Sequence, residues 1–171
     1  MSVVSFDQLP DDARVWVFAA ARPLSEVESG SLLRGVDEFV EGWVAHGAPV
    51  RGARDWRHGR FLLVGADERA TGVSGCSIDS LFHALAAAEA ETGVSLRDSS
   101  LVFFRDASGE IRSVPRPEFR RLAAAGEVTD DTPVFDNTVT TVGEVRAGRW
   151  ETRLRDSWHA RAFPRNAEAQ R

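Results

Sequence analysis

The spacing of hydrophobic positions changes period several times along the chain. Arg14 to Ala21 (RVWVFAAA) is short and rich in β-formers, which predicts a strand. Ser25 then precedes Glu28 by three residues. This is the capping-box spacing, in which each side chain satisfies a free backbone N–H at a helix start. Leu32, Leu33, Val36, Phe39, Val40, Trp43 and Val44 follow at three-to-four spacing and make one apolar helical stripe. Gly47 is placed to stop that helix, with His46 at its end to complement the dipole. Ala48 to Gly59 is polar and reads as a connection. Arg60 to Ala66 (RFLLVGA) is a continuous apolar run, as in a strand covered on both faces.

A loop from Asp67 to Gly75 leads to a second helix over about Ser77 to Thr92, stopped by Gly93. Leu101 to Arg105 predicts a third strand. Asp106-Ala107-Ser108-Gly109 turns it into a hairpin with Glu110 to Val114. Pro117 suits the first position of a short helix ending at Gly126. Thr132 to Phe135 and Arg149 to Leu154 are weaker strands, and Asn166 to Arg171 is a fraying tail. Two strand–helix–strand units imply right-handed parallel crossovers, to which the hairpin adds antiparallel pairing. The expectation is a single α+β domain over residues 1–165, a mixed sheet with helices mainly on one face. A three-layer α/β arrangement is the alternative.

Composition then removes several chemistries. The 171 residues include no lysine, so all 21 basic side chains are arginine. A lysine Schiff base and a P-loop lysine are impossible. There is no tyrosine, and the one cysteine, Cys76, excludes an internal disulfide and a multi-cysteine zinc site. The four histidines show no ligand spacing, so neither a metal nor a cofactor is expected. No apolar run is long enough for a membrane span, and Met1 to Pro10 lacks the pattern of a signal peptide, so a cytoplasmic location is the default. The net charge of −5 disfavours nucleic acid. Arginine nevertheless gathers in Arg51 to Arg60 and in the C-terminal stretch, interleaved with Trp56, Trp150 and Trp158. That pattern reads either as aromatic docking on the core or as a contact surface for a partner.

Two stretches carry candidate chemistry. Ser74-Gly75-Cys76-Ser77-Ile78-Asp79 lies where loop becomes helix, and free N–H groups there can stabilise a thiolate or cradle an anion. Arg57 or Arg60 is available as counter-charge. Asp79 sits in the same positive field and opposes both effects. Packing or capping explains the same residues without a site. As a nucleophile, Cys76 needs a base from outside its own helix turn, with His46, His58 and His159 as candidates.

Five segments match a known pattern in order: Asp11-Asp12-Ala13-Arg14-Val15-Trp16, Trp43-Val44-Ala45-His46-Gly47, Ser74 to Asp79, Val134-Phe135-Asp136-Asn137, and Ser157-Trp158-His159-Ala160-Arg161. Through them the chain resembles a family of small bacterial proteins, frequent among Bacteroidetes and their relatives, whose members often carry the label ABC transporter ATPase. The absent P-loop lysine is incompatible with that label. The resemblance groups Trp43, His46, Cys76, Asp79, Asn137, Trp158 and His159 without assigning them roles.

Two functional expectations follow. The first is a domain binding a small molecule or protein partner through Ser74, Gly75, Ser77, Asp79, Arg60, Trp43, Asn137 and Trp158. The second is a thiol-dependent enzyme with Cys76 as nucleophile and His159 or His46 as base.

Overall fold

The structure is a computed structural model that describes residues 4–165. The expected tail over 166–171 lies outside the described residues. In chain order the elements are β1 (Arg14–Ala19), α1 (Glu26–Gly42), β2 (Val44–Ala45), β3 (Ala48–Pro49), β4 (Arg51–Arg57), β5 (Phe61–Asp67), α2 (Gly75–Thr92), β6 (Leu101–Arg105), β7 (Ile111–Pro115), α3 (Arg116–Ala124), β8 (Pro133–Phe135), α4 (Val142–Arg146), β9 (Glu151–Arg153) and α5 (His159–Ala162). Short 3-10 turns lie at Phe6–Gln8 and Leu154–Asp156.

The chain is α+β, built on two stacked sheets. The first has the order β1-β5-β4 and the second β7-β6-β8-β9. Side chains alternate across each strand, so each sheet serves two cores. Phe18, Leu62 and Val64 of the first sheet meet Leu32, Val36 and Val40 of α1 and Leu81 and Leu85 of α2. Its opposite face sends Val15, Ala19, Phe61 and Leu63 against Phe103 and Phe135 of the second sheet and Trp150 just before β9. The outer face of the second sheet, with Val102, Phe104 and Val134, is covered by Phe119, Leu122 and Phe163. Each sheet therefore carries helices on one face and the other sheet on the opposite face. Every residue of β5 is buried, as its unbroken apolar run predicts.

The expected parallel crossovers do not occur. All described strand pairs are antiparallel, including β1 with β5, where Arg14 faces Ala66 and Ala19 faces Phe61. The chain between these strands returns through α1, a small hairpin and β4, which reverses its direction. The sequence predicts a connection at β4 because its residues, RGARDWR, hold few β-formers. It is an edge strand, where charged side chains are compatible with pairing on one side only. The half-buried Arg54 bonds Asp37 of α1 at 2.7 and 2.8 Å.

Helix α1 starts as expected, with Ser25 and Glu28 forming a reciprocal capping box. It ends earlier, at Gly42. His46 and Gly47 are the two central residues of the β2–β3 hairpin, both at positive φ. The long apolar stripe ends at the buried Trp43, and Val44 points to solvent.

Arg60 ties the two sheets together. Its side chain is 2% exposed. It donates to Ala20 O twice at 3.2 Å, to Ile111 O at 3.0 Å, to Ser113 Oγ at 3.3 Å and to Ala21 O. No acidic group faces it in an ion pair among the described residues, and burial lowers its pKa from the ordinary arginine value.

Candidate functional site

The sequence-predicted site residues fall into two separate places. The first is the start of α2. Ser74 is its N-cap and accepts from Ser77 N at 3.2 Å, while Ser77 Oγ accepts from Ser74 N at 2.9 Å. The two serines are thus spent on each other. Trp43 is buried behind them and donates from Nε1 to Ser77 O at 3.0 Å. Cys76 and Asp79 are exposed. No hydrogen bond reaches the Cys76 sulfur among the described residues, and no histidine stands beside it in one. His46 projects from the β2–β3 turn and is exposed. His83 turns back to Asp79 O at 2.7 Å. Arg60, clamped between the sheets, has its donors directed at backbone carbonyls and the Ser113 hydroxyl, not at this helix start.

The second place is a cavity of about 440 Å³. It lies along β1 and reaches the segments at 96–99 and 137–140, the start of α3 and the Trp158-His159 pair. Three predicted residues meet here: Asn137, Trp158 and His159. Cys76, Ser74, Gly75, Ser77, Asp79, Arg60, Trp43 and His46 do not line it. Its apolar walls come from Trp16, Phe18, Phe82, Leu96, Phe103 and Phe135, and its volume is in the usual range for small-molecule sites.

Local folding explains how the polar groups reach this wall. Ser157 Oγ donates to Leu154 O at 3.0 Å, closing the turn before α5. The same oxygen lies 2.8 Å from His159 Nδ1. A serine has one proton, so the arrangement satisfying both contacts has His159 donating from Nδ1. His159 Nε2 then carries a lone pair, with no hydrogen-bond partner among the described residues. Trp158 stacks on this ring, centroids 4.0 Å apart. Among the buried side-chain donors of the described residues, Trp158 Nε1 is the one left without a partner. Such an orphaned group costs about 1–3 kcal/mol unless a partner arrives.

Burial is also what sets the charge of His159. The residue is 1% exposed, and loss of solvent pushes its pKa down to about 4; Asp136 opposes the shift and Arg116 adds to it. The imidazole is neutral at pH 7, a hydrogen-bond acceptor in place of a cation. Arg116 supplies positive charge at the rim. Its guanidinium lies 5.4 Å above the Trp158 ring, and it forms no ion pair among the described residues. The two other lining arginines are engaged: Arg14 is 3.8 Å from Glu68 and Arg97 is 2.7 Å from Glu89. Asn137 is partly occupied, with Oδ1 accepting from Trp150 Nε1 at 3.0 Å.

Sequence reasoning missed Arg116, Phe82, Leu96 and the exposed edge of β1 as members of one site. Arg116 lies beside Pro117 at the start of α3, and nothing in its local sequence marks it as facing a cavity. The others carry no chemical signature, and only the stacking of two sheets brings them together.

Among the described residues no group of three or more His, Cys, Asp or Glu side chains is arranged to hold a metal, and no helix is long and apolar enough to cross a membrane. No family model matches the chain, and comparison with curated proteins and with solved structures finds no match either.

Proposed function

We infer that the chain is a binding domain for a small organic ligand taken into the cavity beside β1, in place of the helix start of α2. The observation that carries this reading is one apolar hollow lined by both Trp158 and His159, the latter with an Nε2 that has no hydrogen-bond partner among the described residues. A ligand N–H satisfies His159 Nε2, while aromatic walls hold the ligand's apolar part. Arg116 favours a ligand with negative charge at one end. The likeness to the small bacterial family rests partly on its Ser-Trp-His stretch, and this reading makes that stretch functional. A cytoplasmic setting suits such a protein.

A thiol-dependent enzyme has less support. Its nucleophile needs a base within hydrogen-bond reach. Cys76 has none among the described residues, and His159 lines a cavity that Cys76 does not.

The test uses the indole N–H signals of the five tryptophans in a ¹⁵N-labelled sample, titrated with a library of small aromatic acids and amides. Ligands that bind are expected to move the signals of Trp158 and Trp16, which line the cavity, and to leave Trp56 in place. Shifts confined to amides at Ser74 to Asp79 would overturn the assignment.

A further inference from the structure

The cavity wall contributed by β1 is an open strand edge, and its hydrogen-bonding groups specify the ligand more narrowly than its shape does. In an antiparallel strand, alternate residues direct both N–H and C=O to the same side. Val15 N donates outward to Thr140 O at 2.9 Å, and Ala19 N donates outward to Leu96 O at 2.9 Å. The alternation therefore turns Val17 N–H and C=O outward as well, away from β5. No partner meets either group among the described residues. The gap between the two outer bonds spans four residues, roughly 13 Å of strand. Segments 96–99 and 137–140 close its ends, and Val17 lines the cavity at its centre.

We propose that the ligand is a short peptide, one or two residues long with a free C-terminal carboxylate, which adds to the edge of β1 and pairs its backbone with Val17. This deepens the binding reading above and rests on it. A single peptide residue carries the matching N–H and C=O, and strand addition is an established way for proteins to hold extended peptides. The closed ends limit its length. The carboxylate finds Arg116, the lining guanidinium with no acidic partner among the described residues, and apolar side chains find Phe103, Phe135 and Trp16. His159 Nε2 remains to accept an N–H from the ligand's outer side.

Three probes separate these contacts: N-acetyl-leucyl-phenylalanine, its C-terminal amide, and its analogue with N-methyl-leucine. Isothermal titration calorimetry on the full chain is expected to show binding of the first. Removing the pairing N–H by methylation is expected to weaken it about tenfold or more, the scale of one lost hydrogen bond in a desolvated site. Amidation is expected to weaken binding about tenfold in the native protein and to have little effect in Arg116→Gln, because the charge pair is then already gone. Equal affinity for the acid and the N-methyl analogue overturns the backbone pairing. If no peptide binds while other small acids move the Trp158 signal, the peptide proposal falls and the cavity reading survives. If nothing moves that signal, both fall.

Discussion

Replacing His159 by Asn removes a buried base while keeping an N–H that can reach Ser157. The folded protein holds the imidazole at a pKa of about 4, against 6.5 for the free group. Between those values the unfolded chain binds a proton that the folded one refuses, so stability rises with pH through this window. The contribution is fully present above about pH 6.5 and is lost as pH falls toward 4. The gap corresponds to an order of 3 kcal/mol, at about 1.4 kcal/mol per pH unit. Urea denaturation followed by tryptophan fluorescence at a series of pH values from 7.5 to 4 measures it. The native protein is expected to lose on the order of 3 kcal/mol more than His159→Asn across that range, since carboxylate effects are common to both. Packing loss lowers the variant's curve at every pH without changing this difference. Parallel curves would refute the claim that His159 is buried in its neutral form.

Other residues give sharper structural tests. Gly65→Ala places a Cβ 2.4 Å from Leu9 Cδ1 and 3.2 Å from Phe6 Cε2, and should cost about 1–3 kcal/mol in denaturant unfolding. Arg60→Met removes the guanidinium donor from the Ala20 and Ile111 carbonyls, while Ala21 O keeps the Ser113 hydroxyl, so a loss of about 2 kcal/mol or more is expected in the same assay. Cys76→Ser changes an exposed side chain with no hydrogen-bond partner and should alter stability by less than about 0.5 kcal/mol. The native Cys76 should also react with a maleimide without prior unfolding, as read by intact mass.

Local chemistry was legible in the sequence, and long-range pairing was not. The capping box at Ser25 and Glu28 and the unbroken run of β5 depend on neighbours a few residues apart, and both stand as expected. Thr141 and Glu144 form the same box at the start of α4, a signal present in the sequence but passed over. The direction of β5 against β1 depends on β4, whose arginines concealed it. The hairpin at His46-Gly47 was hidden because a histidine at positive φ has no strong sequence mark. The site divided in the same way. Trp158, His159 and Asn137 carry chemistry and could be named from the sequence, whereas Val17 contributes only backbone. Cys76 drew attention through its element's position, yet it neither fills a packed gap nor faces the cavity.

The most direct test is a crystal structure soaked with small acids and amides that bind in solution. The account predicts density for the ligand in the cavity beside β1, within hydrogen-bond distance of His159 Nε2. Ligand found instead at the start of α2, with the β1 cavity holding only water, would contradict it.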